Sequence, residues 1–242
     1  MRYVTPAGRV YDLYETMLDQ PHLLIAGATG SGKSVLINGL IATAVMRSPA
    51  SVRLILLDPK TTELWTWANL PHTIAYAYEL DEMTARLREA IGIMETRLNH
   101  MHSVGERLWT GAQIYVVIDE LGDLLTTAKL DVLPLLQRLL NLGRAAGIHV
   151  IGGTQCLLAS VLPTQLRVNF PSVICLRTAT KRQSTFVIDR PGAELFPNPR
   201  TAGKAFGFFR QGADVERFTV YKVEDEEQQR LVDWWNDPSH TI

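Results

Sequence analysis

Cysteine is nearly absent. Cys156 and Cys175 are the only 2 in a chain of 242 residues, and both lie in apolar stretches. Such a pair makes neither a disulfide framework nor a metal site. The two read as small buried hydrophobes in a reducing compartment. A surplus of either charge is also missing, since 24 basic residues meet 25 acidic ones for a net charge of -1. A nucleic-acid partner would have to be met by a local basic surface, not by the chain as a whole. No apolar run reaches the ~20 residues that a membrane span needs. Met1 to Gln20 carries acids and no apolar centre, so it does not read as a secretory leader. Internal repeats and low-complexity segments are lacking too. What remains is 46% hydrophobic and 20% charged, an ordinary globular composition. The length allows one large domain or two small ones, and a cytoplasmic location is expected.

What is present centres on Gly27-Ala28-Thr29-Gly30-Ser31-Gly32-Lys33-Ser34, which fits the phosphate-binding P-loop pattern G-x-x-x-x-G-K-[ST]. Its flanks are right as well. His22 to Ala26 is a short apolar run that reads as a buried strand. Val35 to Met46 repeats apolar residues at helical spacing. Glycines at such a turn allow positive φ, so successive N–H groups converge with the helix N-terminus on a polyphosphate. Gly27 through Val35 is therefore the expected nucleotide-binding set, with ATP and Mg²⁺ as its ligands. Lys33 would reach the β- and γ-phosphates and Ser34 would ligate the metal. Replacing Lys33 by alanine is expected to abolish nucleotide binding and leave the fold intact.

Along the chain, short apolar runs alternate with helical periodicity. Val52–Leu57, Ile114–Ile118, Ile148–Gly153 and Ser172–Leu176 read as buried strands. Glu63–Leu70, Leu80–His102 and Leu130–Ala146 read as helices, the last with Pro134 in its first turn. Lys204–Arg210 and Val215–Val223 suggest a hairpin around Gly212, and Glu224–Trp235 a final helix. Continuously apolar strands between helices predict an α/β fold. Its mostly parallel sheet would carry helices on both faces, with ligands at the C-terminal edge of the strands.

Ile114-Tyr115-Val116-Val117-Ile118-Asp119-Glu120 is an apolar strand that ends in two acids, a Walker B pattern. Asp119 would hold Mg²⁺ and Glu120 would polarise the attacking water. An acid directly after the metal ligand argues for hydrolysis over transfer to a small acceptor. Gln155 ends the next strand. It reads equally as a group that senses the γ-phosphate or the water and as a turn amide.

Taken in order, several stretches resemble the motor domain of FtsK/SpoIIIE-type DNA translocases. They are the P-loop with its strand, Val52–Lys60 ending in Asp58-Pro59-Lys60, Glu63-Leu64, Pro71-His72, Asp119-Glu120 with Asp123-Leu124, Arg144-Ala145-Ala146-Gly147-Ile148-His149, and Thr154-Gln155. The likeness runs from about Leu23 to Val223. It implies a RecA-like ATPase that forms a hexameric ring around double-stranded DNA and hydrolyses ATP between subunits. On that resemblance Lys33, Ser34, Asp119, Glu120 and Gln155 keep the roles above. Arg97 would be the finger that reaches a neighbour's nucleotide, with Arg144 as its rival. DNA loops would lie at Thr126–Leu130, with Lys129, and at Ser160–Phe170, with Arg167 and Asn169. Lys181 and Arg182 are further basic candidates, and for each of these five, taken singly, a solvated surface group is the better reading. The chain divides as 1–20, a short lead-in; 21–223, the motor; and 224–242, a helical tail. It shows no membrane segment, long linker or winged-helix reader of DNA. The expectation is a compact version from a plasmid, integrative element or phage, with partner proteins for loading or membrane attachment. A related ring ATPase for type VII-like protein secretion is the alternative.

Overall fold

A computed structural model describes residues 2–4, 10–12, 17, 20–220 and 222–240. Strands β1 (Arg2–Val4) and β2 (Val10–Asp12) pair antiparallel, with Tyr3 opposite Tyr11. They form a small β-element ahead of the P-loop; residues 5–9 lie outside the described residues.

Eight further strands make one sheet. Six run parallel: β3 (Leu23–Ala26), β4 (Val52–Leu57), β5 (Thr73–Ala77), β6 (Gln113–Ile118), β7 (Ile148–Thr154) and β8 (Ser172–Leu176). The hairpin β9 (Ala205–Gln211) and β10 (Asp214–Val220) adds antiparallel to β8, giving the order β10-β9-β8-β3-β7-β6-β4-β5. The central strands are apolar at nearly every residue because both faces are covered. Side chains alternate between two cores. Leu23, Ile25, Leu54, Leu56 and Val117 face one, while Leu24, Ala26, Ile55, Leu57 and Val116 face the other. Burying each such Leu, Ile or Val contributes roughly 1.5–3 kcal/mol.

Helix α1 (Lys33–Ala44) covers the first face through Leu36, Ile37, Leu40 and Ile41. Helix α2 (Leu80–Val104) buries Met83, Leu87, Ile91 and Met94 on the second face. Beside it lie α3 (Leu121–Thr127) and α4 (Lys129–Leu142). Short helices α5 (Thr164–Arg167), α6 (Lys181–Ile188) and α7 (Pro199–Ala202) flank β8 and the hairpin. The last helix, α8 (Asp225–Asn236), docks on the first face, where the Trp235 indole donates to the Val45 carbonyl at 2.6 Å.

Several elements differ from the sequence expectation. Glu63–Leu70 is not a helix but holds a single 3-10 turn, Trp65–Trp67. The Asp58 carboxylate takes the N–H groups of Glu63 at 3.0 Å and Leu64 at 2.9 Å, and fixes a loop instead. The expected DNA loop at Thr126–Leu130 is helical apart from Ala128, whose ψ of 39° separates α3 from α4. Pro134 sits in the second turn of α4, not the first. The carbonyl it cannot serve is that of Leu130, which is 91% exposed and open to water. β5 was not anticipated: it is an edge strand, mostly half-buried, without clear alternation. Cys156 is half-buried, whereas Cys175 is buried as expected; burial, with Glu194 nearby, pushes the Cys175 thiol up to about 12.

Candidate functional site

Parallel strands put their C-terminal ends along one edge, and the chemistry-bearing residues follow those ends. β3 leads into Gly27–Ser34, β6 into Asp119 and Glu120, β7 into Gln155, and β4 into Asp58. The P-loop strand and the strand of the two acids are separated only by β7.

The P-loop is anchored at its start. Gly27 N–H donates to the Thr154 carbonyl at 3.2 Å and Ala28 N–H to the Arg177 carbonyl at 2.8 Å, so both neighbouring strands hold it. Gly32 has φ of 96°, and a Cβ there would stand 2.6 Å from Ala205 Cβ, at the start of β9. Only glycine fits that turn. The N–H groups that open α1 have no intrahelical partner and face a potential anion. The Ser31 hydroxyl is buried inside the loop without a hydrogen-bond partner. An orphaned hydroxyl of this kind suits a ligand with polar oxygens.

Lys33 lies folded onto the acids. Its Nζ donates to the Asp119 carbonyl at 2.6 Å and to Asp119 Oδ1 at 2.7 Å, and stands 4.0 Å from Glu120 Oε2. All three side chains are buried. Glu120 is held at both oxygens: Oε1 accepts from the Gln155 N–H at 2.9 Å, and Oε2 lies 3.5 Å from Lys60 Nζ. Gln155 Oε1 in turn accepts from the Thr29 hydroxyl at 2.7 Å, tying the tip of β7 to the P-loop. Gly153 lets β7 pack this tightly, since a Cβ there would lie 2.4 Å from the Asp119 carbonyl oxygen.

Two charged groups at the site were seen in the sequence only as part of the family likeness. Lys60 also lies 3.2 Å from Asp123 Oδ2. Partial burial pulls its ammonium down, and Glu120 and Asp123 more than offset that, so its pKa stands above the usual lysine value. Burial raises the Glu63 carboxyl above its ordinary range, and the Ser34 hydroxyl only partly offsets that. The signal for both was the strand-end run Asp58-Pro59-Lys60, which places them on the loop beside the acids. A cavity of about 450 Å³ opens in front of the P-loop, lined by Lys33, Ser34, Glu63, Gln155, Arg200 and Lys204 among others.

Among the described residues no group of three acids, histidines or cysteines could hold a metal by itself. Mg²⁺ keeps several waters and needs only one or two protein oxygens plus substrate phosphates. Ser34 and Asp119 supply oxygens of that kind at the mouth of the P-loop.

The other expected residues are not gathered here. Arg97 lies at the opposite, N-terminal edge of β7. Its Nη1 donates to the Ala146 carbonyl at 2.8 Å and approaches the Gly147 carbonyl at 3.4 Å, and its guanidinium stacks 4.6 Å over Trp109. Burial lowers its pKa to about 10. The side chain clamps the turn before β7 to α2. Arg144, on that same turn, is exposed and has no ion pair or hydrogen bond from its side chain among the described residues. Arg167 is also engaged: it donates to the Phe186 carbonyl, lies 3.6 Å from Asp189, and is largely covered. It therefore does not present a free cation to DNA. Asn169 is half-buried beside it, ahead of β8. Lys181 and Arg182 are exposed at the start of α6, beyond the other end of β8. Lys129 is exposed and donates to the Ser160 carbonyl at 3.3 Å. The five candidate DNA contacts thus lie at both edges of the sheet, not in one patch.

Fold and site together define a P-loop nucleotide-binding protein. Residues 9–111 match the FtsK/SpoIIIE family. The chain is 33% identical over 236 residues to DNA translocase FtsK of Oceanobacillus iheyensis, covering 88% of this chain and 30% of that protein. It is 34% identical over 195 residues to DNA translocase SpoIIIE of Bacillus subtilis, covering 72% of this chain and 25% of that one. The chain belongs to the FtsK/SpoIIIE family and spans about a third or less of these relatives. Among solved structures, the cytoplasmic domain of the Thermomonospora curvata type VII secretion ATPase EccC superposes with a TM-score of 0.79 at 26% identity, over 96% of this chain and 30% of that one. The pCW3 conjugation coupling protein TcpA, in a monomer form with ATPγS, also superposes with a TM-score of 0.79, at 23% identity over 96% of this chain and 69% of that one.

Proposed function

We propose that this chain is an ATP-hydrolysing motor that moves double-stranded DNA, working as a ring of identical subunits, with a hexamer as the expected form. The observation that carries the hydrolysis is the buried cluster of Lys33, Asp119 and Glu120 at the P-loop. With ATP bound, Lys33 would leave Asp119 for the phosphates, and Ser34 and Asp119 would be the residues to hold Mg²⁺. The metal supplies charge stabilisation for phosphoryl transfer. Glu120 is already oriented by the Gln155 N–H, and it accepts the proton of the attacking water. Gln155 and Thr29 close the side of the site facing β7. Arg144 replaces Arg97 as the cation reaching a neighbour's nucleotide, because it is the exposed and unengaged member of the pair. Lys129, Lys181 and Arg182 are the candidate phosphate contacts that remain accessible. Such contacts bind DNA without reading sequence.

Relatives named as DNA translocases, above 30% identity, support DNA as the substrate. The likeness to a type VII secretion ATPase favours a protein substrate as the second reading. The cytoplasm is the proposed location, with loading or membrane proteins as partners; no described helix is long and apolar enough to cross a membrane. ATP-dependent displacement of a third strand from a long duplex tests the first reading. Displacement that needs both ATP and Mg²⁺ is expected. A folded, nucleotide-binding chain that leaves the triplex intact, and hydrolyses faster only with a secretion substrate, would transfer the assignment to the second.

A further inference from the structure

The loop between β4 and the Trp65 turn is built more firmly than a connection requires. The buried Asp58 carboxylate takes three backbone N–H groups, from Lys60 at 3.3 Å, Glu63 at 3.0 Å and Leu64 at 2.9 Å. Leu64 is fully buried and pins the far end. Thr61 sits at φ of 54°, a left-handed conformation that costs a non-glycine residue of order 1–3 kcal/mol. Strain held in place by a buried carboxylate marks a loop whose shape serves something it presents. It presents Lys60 to Glu120 and puts Glu63 on the cavity that Ser34 lines.

We propose that Glu63 is a positioning residue for the metal end of the nucleotide site. The inference rests on the nucleotide reading above. A serine hydroxyl that ligates a cation offers its lone pair to the metal and needs an acceptor for its proton. The Glu63 carboxylate is that acceptor: it stands on the Asp58-pinned loop at the same cavity as Ser34, and the Ser34 hydroxyl partly counters the rise that burial gives its carboxyl. It lines the cavity in front of the P-loop. In that position it fixes the Ser34 rotamer with the lone pair pointing outward and accepts hydrogen bonds from metal-bound water. Outer-shell carboxylates of this kind orient ligands without touching the metal.

The test measures cation binding and turns over no substrate. The protein is loaded with a non-hydrolysable ATP analogue and titrated with Mn²⁺, read by electron paramagnetic resonance. Affinity for the same analogue is measured separately in EDTA. Glu63→Ala should bind Mn²⁺ about 10–100-fold more weakly, with analogue affinity in EDTA unchanged. Glu63→Gln keeps an acceptor oxygen and should recover part of the loss; it also serves if the alanine variant does not fold. Wild-type Mn²⁺ affinity in both variants would overturn the proposal. So would an equal loss of analogue affinity in EDTA, which would mean that the P-loop itself was disturbed. A wild-type protein that binds the analogue with no response to any divalent cation would overturn it too, whereas a folded wild-type protein that binds no analogue at all would sink the nucleotide reading beneath it.

Discussion

The ion pair beneath the P-loop makes Lys33 a structural residue before any nucleotide arrives. Its Nζ is 2.7 Å from Asp119 Oδ1, with the two side chains only 4% and 3% exposed. Removing one partner of such a pair leaves a buried charge unmatched, at a cost of about 3–5 kcal/mol. Here the lower end applies. Glu120 keeps Lys60 at 3.5 Å, so the loss falls on Asp119, and the bond to its carbonyl goes as well. Lys33→Ala should therefore lose ~3 kcal/mol in urea unfolding without nucleotide, or roughly 6–12 °C in melting temperature for a domain of this size. That departs from the sequence expectation of an intact, merely inactive variant. Lys33→Ala with Asp119→Asn removes the unmatched charge and should regain most of the stability, because deleting both partners is often close to neutral. A single variant within ~0.5 kcal/mol of wild type, or a double variant no better than the single, would refute the reasoning.

Arg97→Ala should lower unfolding stability by ~1–3 kcal/mol, since it orphans two carbonyls of the turn before β7. Arg144→Ala should leave stability unchanged within ~0.5 kcal/mol yet cut turnover by about 10³ or more; mixing it with Glu120→Gln subunits should restore part of the activity if the arginine acts between subunits, and no rescue would count against a shared site. Burial pushes the His22 imidazole down to about 3, helped by the charge of His149, and the His149 imidazole down to about 4, from an ordinary 6.5. The unfolded chain therefore takes up protons first, so stability is full above pH ~6.5 and falls as pH drops toward 4, by up to ~1.4 kcal/mol per pH unit for each ring. Urea midpoints that stay flat from pH 7.5 to 5 would contradict this.

The sheet was legible because its central strands are buried on both faces, which leaves unbroken runs such as Val52–Leu57. The P-loop and the Asp119-Glu120 strand end were legible for a related reason: their chemistry is local in sequence. β5 escaped notice because an edge strand that is only half-buried needs no such run. The helical character of Leu121–Thr127 is masked in the sequence by its polar residues, although it packs through Leu121, Leu124 and Leu125. Contacts between distant parts of the chain could not be read at all. Arg97 meets carbonyls 49 and 50 residues away, and Lys60 meets Glu120 across 60 residues. Both depend on which strands end side by side.

Turnover of Mg-ATP by the purified chain, with and without long duplex DNA, tests the account most directly when wild type and Glu120→Gln are compared. Duplex DNA should accelerate the wild type, and the Gln variant should bind ATP yet turn over about 10²–10⁴-fold more slowly with DNA or without it. A wild-type rate indifferent to DNA, or a Gln variant as fast as its parent, would contradict it.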